Sequence, residues 1–203
     1  SDEIQEATDL MDDGMDDSEL LDLEPAAAIE DQATLSSLIE LSRDLQGQQG
    51  DPKLDALVKH LRELVRDNFR PVVFCRYIAT AEYVAEHLRG SIRGTTVDAV
   101  SGNYTPEERE ARVTALIEAE KPILVATDCL SEGINLQHGF NAVVHYDLAW
   151  NPTRHEQREG RVDRFGQPCP EVRCTMLYGH DNPVDGFILN VILRKASEIQ
   201  REL

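Results

Sequence analysis

The stretch PVVFCRYIATAEYVAEHLRGSIRGTTVDAV, residues 71–100, decides the fold class. It opens with PVVFC (71–75), a continuous apolar run that is typical of a strand covered on both faces. TAEYVAEHLRG (80–90) has helical spacing and ends at Gly90, and TVDAV (96–100) has the composition of a second strand. Strand, helix and strand in this order predict a parallel βαβ unit.

The alternation continues toward the C-terminus. In TPEE, Thr105 is a candidate N-cap, Pro106 takes the first helical position and Glu108 completes a capping box, which predicts a helix to about Glu120. The last predicted strand alternates along its length, which is typical of an edge position. The pattern predicts an α/β fold, a parallel sheet with helices on both faces. The remaining strands and the closing helix are predicted at 122–127, 142–147, 171–179 and from about Asn182.

Two amphipathic helices and an acidic segment precede the sheet. TLSSLIELSRDLQGQQG (34–50) and PKLDALVKHLRELVRDN (52–68) carry apolar residues at helical spacing. Residues 1–31 are acidic and poor in aromatic residues, so they bury too little apolar area to fold alone. We interpret 1–31 as an acidic linker or docked segment, with a DNA-mimicking or autoinhibitory arm as the alternative. Residues 32–203 form the domain with its leading helices.

The negative charge of the chain is concentrated in its first quarter. Residues 1–50 hold 15 Asp and Glu against one Arg, a net charge of -14 out of -18. The remaining 23 acidic and 19 basic residues give only -4. The total charge argues against nonspecific nucleic-acid binding by the whole chain, but it leaves room for a local basic strip on the domain.

The apolar runs and the cysteines favour a reducing, cytoplasmic setting. No apolar run approaches the length of a membrane span, and the N-terminus does not resemble a signal peptide, so no membrane partner is expected. Cys75 and Cys129 are interpreted as buried thiols. Cys169 and Cys174 are five residues apart near His180, but no second pair completes a zinc site, and no metal is predicted there. The first residue is serine, which is compatible with a fragment of a longer protein.

The loops that follow the predicted strands carry most of the polar residues of interest. In parallel sheets, ligands bind at the carboxyl ends of the strands. Three loops follow the first three strands, and an arginine-rich stretch follows the fourth. All four therefore fall on one edge of the predicted sheet. They are CRYIAT (75–80), SGNYT (101–105), TDCLSEGINLQ (127–137) and DLAWNPTRHEQREGRVDRFGQ (147–167).

The arginine-rich stretch, residues 147–167, indicates an anionic ligand. Arg158, Arg161 and Arg164 follow one another at three-residue intervals, so they lie along one side if the segment is helical. Guanidiniums so close together need an anionic partner, and their planar donors suit phosphate. The alternative is an exposed basic turn that pairs with local acids such as Glu156, Glu159 and Asp163. The arginines of the stretch are Arg154, Arg158, Arg161 and Arg164.

The loop after the third strand supports the ligand interpretation. Thr127 and Asp128 close a buried strand, and Gly133 gives the backbone room to approach a ligand. Asn135 places an amide near that glycine. The alternative is an ordinary strand-to-loop turn.

Together these stretches resemble a known family of motor proteins. ATDxxSEGINLQ (126–137) and DLAWNPxxxEQRxGRxxRxGQ (147–167) resemble motifs V and VI of superfamily-two helicases. The WNP, EQRxGRxDR and GQ pieces are similar to those of Swi/Snf-type double-stranded-DNA translocases, especially the bacterial branch that includes the RNA-polymerase-associated member. VVFCRYIAT resembles motif IV, and SGNYTPEER resembles the segment before motif V. The resemblance covers roughly residues 52–180.

The resemblance implies a second RecA-like lobe that shares one ATP with a first lobe. In that family the first lobe holds the phosphates and most of the Mg²⁺ contacts, and the second supplies arginine fingers. By position, Arg161 and Arg164 are the expected fingers. The expected nucleotide-side residues are Gly133, Asn135, Gln157 and Arg158. The expected DNA-side residues are Arg76, Thr80, Asn103, Tyr104 and Thr127.

The chain has neither a GxxxxGK[ST] loop nor a DExH-like box, so we expect no ATP hydrolysis by this chain alone. The expected partners are an N-terminal RecA-like lobe, double-stranded DNA, and a nucleoprotein or polymerase target. The alternatives are an RNA helicase lobe and a non-catalytic RecA-like interaction module. An unrelated nucleotide-binding domain is disfavoured, because no glycine-rich fingerprint follows the first strand. Glu132, Glu156 and Asp163 are candidates to hold the arginines when no nucleotide is bound.

Overall fold

A five-stranded parallel sheet forms the centre of the molecule. The computed structural model describes residues 32–47, 49–131, 134–149, 151–179 and 183–202. The order across the sheet is β2-β3-β1-β4-β5, and every neighbouring pair is parallel. The predicted parallel α/β fold is confirmed, including the edge position of the last strand. The strands are β1 Pro71–Phe74, β2 Thr96–Val100, β3 Pro122–Ala126, β4 Ala142–His145 and β5 Arg173–Met176.

Helices lie at positions close to those predicted. The capping box is present: the Thr105 hydroxyl accepts from the Glu108 backbone N–H, and the Glu108 carboxylate accepts from the Thr105 N–H. Asp51 caps another helix by accepting from the backbone N–H of Lys53 and Leu54. The helices are α1 Gln32–Asp44, α2 Pro52–Arg66, α3 Ile78–Leu88, α4 Pro106–Ile117, α5 Pro152–Glu159 and α6 Pro183–Glu202, with a 3-10 turn at Asp128–Ser131.

Each face of the sheet has its own apolar core. Helices α2 and α3 cover one face, where residues such as Leu57 and Val84 pack against Val73 and Val144. Helix α4 and the segments after β3 and α5 cover the other face, where Val113, Leu136 and Val162 pack with Phe74. Strand β1 is fully buried between the two layers, as its continuous apolar run predicts.

A carboxylate at the outer strand β2 is held by hydrogen bonds. At the β2 edge, the Asp98 carboxylate accepts two hydrogen bonds from Arg112 Nη1, at 3.1 and 3.0 Å, and one from the Ala99 backbone N–H at 2.9 Å.

Helix α1 forms as predicted, but its apolar residues are not covered: Leu38 is 52% exposed and Leu41 57%. The predicted acidic segment 1–31 lies outside the described residues.

All four cysteines are free thiols. Cys75 is buried as predicted, whereas Cys129 is only half-buried. Within the described ranges, no three His, Cys, Asp or Glu side chains are grouped as metal ligands, and His180 lies outside those ranges. None of the described helices is long and apolar enough to cross a membrane.

Candidate functional site

The carboxyl ends of three central strands meet at one edge of the sheet. The ladder continues one residue past the strands, because the Cys75 N–H donates to Ala126 O at 2.8 Å and the Tyr146 N–H to Phe74 O at 2.9 Å. The next residues of the chain at this edge are Asp128, after β3, and Asp147, after β4. The chain moves from one side of β1 to the other between β3 and β4, and such reversals are where parallel sheets bind ligands.

Asp128 holds two arginines of the arginine-rich stretch. Arg158 donates from Nε to Oδ1 at 2.6 Å and from Nη2 to Oδ2 at 2.8 Å, and Arg154 Nη1 lies 3.5 Å from Oδ2. Burial alone would raise the pKa of Asp128, but the hydrogen bonds and charges of the two arginines outweigh it and lower this pKa. Asp128 is therefore an ionised anchor for the segment that follows β4.

Arg158 is an internal residue in this structure. Its side chain is 3% exposed, its Nη1 donates to the backbone oxygen of Asp147 at 3.1 Å, and its guanidinium lies 5.5 Å from the Phe74 ring centre. The expectation that Arg158 faces a nucleotide does not fit this burial. The arginine instead ties together the loops after β3 and β4. The carboxylate that holds it is Asp128, not one of the local acids named as candidates.

The arginines do not share one side of a helix, and that prediction is wrong. Helix α5 ends at Glu159, and Gly160 is its C-cap, with an N–H that donates to Glu156 O at 2.8 Å. The backbone then turns, because Val162 and Asp163 both donate to Glu159 O, at 2.9 and 2.7 Å. The three-residue spacing suggested a continuous helix, but the α-helix ends at Gly160, which keeps a right-handed conformation with φ -63° and ψ -6°.

The remaining nucleotide-side candidates are at or near the surface. Arg161 is half-buried in the turn after α5, and Arg164 is exposed two residues beyond the buried Val162. Gln157 and Asn135 are exposed as well. Gly133 and Glu132 lie outside the described residues. Both predicted fingers follow α5, and the segment that carries them runs on to Gln167, whose Nε2 donates to the backbone oxygen of Phe140 before β4.

Of the five nucleic-acid candidates, one has no accessible surface. Thr127 is fully buried at the end of β3, so the expectation that it faces a phosphate does not fit this arrangement. Arg76 is half-buried beside Tyr77, with its guanidinium 5.4 Å from the ring centre. Thr80 and Tyr104 are half-buried, and Asn103 is exposed.

Sequence reasoning missed three contributors to this edge. Lys53 reaches across from α2 to Asp147, with Nζ 3.1 Å from Oδ1, while the Arg76 backbone N–H donates to Asp147 Oδ2 at 3.0 Å. Arg109 of α4 donates to the backbone oxygens of three residues in the loops after β2 and β3. No local pattern marks the Lys53–Asp147 and Arg109–Cys129 contacts, because they join residues 94 and 20 positions apart. The acceptors of Arg109 are Tyr104 at 2.8 Å, Cys129 at 3.0 Å and Gly102 at 3.3 Å.

Two buried histidines lie at the arginine-rich stretch, His145 before it and His155 within it. His145 Nε2 lies 3.1 Å from Glu159 Oε1, and His155 Nε2 lies 3.1 Å from the backbone of Ala149. Burial lowers the pKa of His155 to about 4. Burial also lowers the pKa of His145, although the hydrogen bond that its ring donates to Glu159 opposes the change. Both rings are therefore neutral at neutral pH.

The comparisons with known proteins agree with this geometry. The profile of the family described as "Helicase conserved C-terminal domain" matches residues 52–166. The chain belongs to this family. The match runs from α2 to the turn after the second predicted finger, and so includes the whole carboxyl edge described above.

Several curated helicases are similar to this family member. It is 30% identical over 172 residues to "ATP-dependent RNA helicase DBP2" of Eremothecium gossypii, which covers 84% of this chain and 29% of that protein. It is 31% identical over 137 residues to "Uncharacterized ATP-dependent helicase YqhH" of Bacillus subtilis, which covers 68% of this chain and 23% of the relative. The chain thus spans about a quarter of the length of these relatives.

Solved helicase structures share the fold. The C-terminal part of the Fun30 ATPase domain superposes with a TM-score of 0.62 at 24% identity, over 69% of this chain and 45% of that one. The C-terminal domain of the DEAD-box protein Dbp5 gives 0.55 at 21% identity, over 75% of this chain and 83% of that one. The chain is a RecA-like helicase C-terminal domain of superfamily two. The narrower resemblance to the Swi/Snf branch stays a prediction, since the curated relatives are named mainly as RNA helicases.

Proposed function

We propose that this chain is the second motor lobe of an ATP-dependent nucleic-acid helicase, and that Arg161 and Arg164 act on ATP held by a first lobe. The observation that carries the proposal is the Asp128–Arg158 pair. This buried pair fixes α5 at the carboxyl edge, where parallel sheets meet their ligands, and it supports the proposal that the two arginines just after α5 reach an ATP bound between the lobes.

The chemistry of the proposed fingers follows from charge. During phosphoryl transfer, negative charge builds on the γ-phosphate oxygens, and a preorganised guanidinium stabilises it. Arginine fingers in such enzymes contribute about 10³–10⁵ in rate. Because these arginines belong to a lobe separate from the bound phosphates, hydrolysis requires the lobes to close, which couples the reaction to movement.

The structure changes how we divide the other roles. Gln157 and Asn135 are exposed and remain candidates for the nucleotide side, together with Gly133. We assign Arg158 to positioning rather than to nucleotide contact, because its guanidinium is buried and each of its three nitrogens already donates to Asp128 or to Asp147 O. The described residues offer no grouped metal ligands, and we propose that the other lobe holds most of the Mg²⁺ contacts. On this view the chain alone does not hydrolyse ATP.

RNA is the first candidate for the nucleic acid. Most of the curated relatives are named as RNA helicases, and that observation favours RNA as the nucleic acid. Double-stranded DNA is the second candidate, favoured by the WNP and GQ pieces of residues 147–167. Arg76 and Thr80 are the proposed backbone contacts for either polymer, with Asn103 and Tyr104 nearby at the end of β2.

The test is ATP hydrolysis by a protein that joins this chain to its N-terminal ATP-binding lobe. The rate is measured alone, with single-stranded RNA and with duplex DNA, for the wild type, Arg161→Ala and Arg164→Ala. Arg93→Ala is the control, since Arg93 is an exposed arginine in the turn before β2, at the amino end of that strand. We expect nucleic acid to stimulate the wild type, and each finger variant to lose about 10³-fold or more in kcat.

The same experiment separates the competing functions. Stronger stimulation by duplex DNA than by RNA would favour a translocase of the Swi/Snf type. A rate that neither polymer nor either finger substitution changes would overturn the motor-lobe proposal. That result would favour a non-catalytic RecA-like interaction module.

A further inference from the structure

Two buried histidines, one at the end of β4 and one within the arginine-rich stretch itself, have no part in the proposed reaction. His145 is the last residue of β4, and His155 lies in α5; their exposed fractions are 0% and 3%. The rings meet edge to face with centroids 4.5 Å apart. Two positive charges at that separation, away from water, repel each other strongly.

Each histidine ring makes a polar contact near one end of α5. At the start of the helix, His155 Nε2 lies 3.1 Å from both the backbone N and the backbone O of Ala149. At the end of the helix, His145 Nε2 lies 3.1 Å from Oε1 of Glu159. The backbone oxygen of Glu159 also accepts the N–H groups of Val162 and Asp163, which form the turn around Arg161. The two rings therefore connect the arginine segment to the sheet.

We propose that His145 and His155 form a latch that positions α5 and the arginines after it, and that the latch opens when the two rings take up protons. Both histidines are positioning residues, because neither lies among the surface groups assigned to ATP or nucleic acid. The effect of the latch on hydrolysis rests on the proposed function. The latch itself does not.

The hydrogen bonds explain why protonation opens the latch. A neutral His155 ring can accept the Ala149 N–H at Nε2, but an imidazolium ring can only donate there, to the Ala149 O that also lies 3.1 Å away. Protonation therefore leaves the Ala149 N–H without this acceptor. The contact with Ala149 O favours the charged ring, so the cost of protonation comes from the burial, the neighbouring charges and the unpaired Nδ1 positions. In both histidines Nδ1 is buried without a hydrogen-bond partner. An imidazolium would carry an N–H at each of these positions, and burying an unpaired donor destabilises the closed arrangement.

The surrounding charges act on the latch in both directions. Glu159 favours a charge on His145, while Arg158 and the second histidine oppose it. Strand β1 contributes the uncharged ring of Phe74, stacked on His145 at 6.4 Å. The other titratable group that acts on His145 is Asp128 of the 3-10 turn, which is held by Arg158 and favours a charge on this ring.

The first experiment uses the 203-residue chain and nuclear magnetic resonance. Histidine ring shifts and amide hydrogen-exchange protection factors are followed from about pH 8 to about pH 3.5, so that the scan passes the pKa of about 4 that burial gives His155. We expect protection of the α5 amides and of the following turn to fall about tenfold more than that of the α4 amides, in step with the rings. His145→Gln and His155→Gln keep a hydrogen-bonding group that does not titrate, and we expect them to reduce this selective loss.

The control variant is His138→Gln, which removes an exposed histidine from the loop before β4 and should behave as the wild type. Equal loss of protection in α4 and α5 of the wild type would overturn the latch, and this result does not depend on how any variant folds. A selective loss that persists unchanged in both His→Gln variants would also overturn it.

The second experiment measures kcat and KM for ATP against pH in the protein that includes the N-terminal lobe. We expect His155→Gln to move the acidic limb of kcat to lower pH by about one unit, with a smaller change in KM. An acidic limb that stays in place would contradict the link between latch and hydrolysis. A protein with no ATP hydrolysis at any pH, but with selective loss of α5 protection, would overturn the proposed function and leave the latch standing.

Discussion

The guanidinium of Arg158 and the carboxylate of Asp128 form a bidentate pair, with Nε 2.6 Å from Oδ1 and Nη2 2.8 Å from Oδ2. Asp128 follows β3 and Arg158 lies in α5 after β4, while β1 runs between these two strands. The pair therefore bridges the carboxyl edge across the end of the central strand. It is a charge-assisted link between the two halves of the candidate site.

Replacing Asp128 by alanine should destabilise the chain by about 3 kcal/mol, since breaking a buried ion pair leaves a buried charge without its partner. Urea unfolding of the chain measures the change. Asp163→Ala, an exposed acid in the same stretch, is the matched control and should stay within about 0.5 kcal/mol. A loss below about 1 kcal/mol in Asp128→Ala would show that Arg158 has found another partner.

Acid should weaken the fold in a window set by the buried histidines. The unfolded chain takes up a proton at His155 below about pH 6.5, whereas burial lowers the pKa of the folded ring to about 4. Between these values the unfolded state binds more protons, so stability falls as pH falls, by about 1.4 kcal/mol per pH unit. Asp128 acts in the same direction at lower pH, because its pKa lies below the ordinary 3.8. We expect His155→Gln to flatten the slope in unfolding measurements, and an unchanged slope would contradict the assignment.

Gly139→Ala should destabilise the chain by about 1–3 kcal/mol, which is typical of overpacking. A Cβ at this position would overlap the side chain of Ile117 at the end of α4. Ile117→Ala alone should also destabilise, but the double variant should recover part of the loss because the smaller side chain makes room. Thermal unfolding of the four proteins gives the coupling energy. Strict additivity would rule out the contact.

Arg109→Met should destabilise the chain by about 2 kcal/mol, since it leaves several backbone oxygens without a charged donor. The side chain reaches the backbone oxygens of Tyr104, Cys129 and Gly102. Arg93→Met replaces an exposed arginine and should stay within about 0.5 kcal/mol. Equal stability of the two variants would contradict the role we give to Arg109.

Local signals in the sequence predict the fold well. The apolar run at β1, the capping box at Thr105 and the glycine after α3 each act within a few residues, so they are legible without tertiary information. The order of the loops along the carboxyl edge follows from the parallel alternation alone. Those features account for the sheet and for the placement of the arginine-rich stretch.

The side-chain partners in the site depend on contacts that the sequence does not display. Nothing near Arg158 marks Asp128, 30 residues earlier, as its partner. The burial of Thr127 and the exposure of α1 likewise depend on which segments pack over them. The end of α5 was predictable in principle from Gly160, but the regular spacing of the arginines outweighed that signal in our interpretation.

The clamped carboxylate at the β2 edge has a consequence for how the chain behaves at high concentration. A bare edge strand offers unpaired N–H groups to another chain, and this is a common start of aggregation. At Ala99 the outward N–H is already taken by Asp98, whose charge is held in place by Arg112. A strand of another chain that approached Ala99 would find the charged Asp98 carboxylate, held by Arg112, and no free N–H group at that residue. Neutralising Asp98 would therefore expose the domain to edge-to-edge assembly without touching its core.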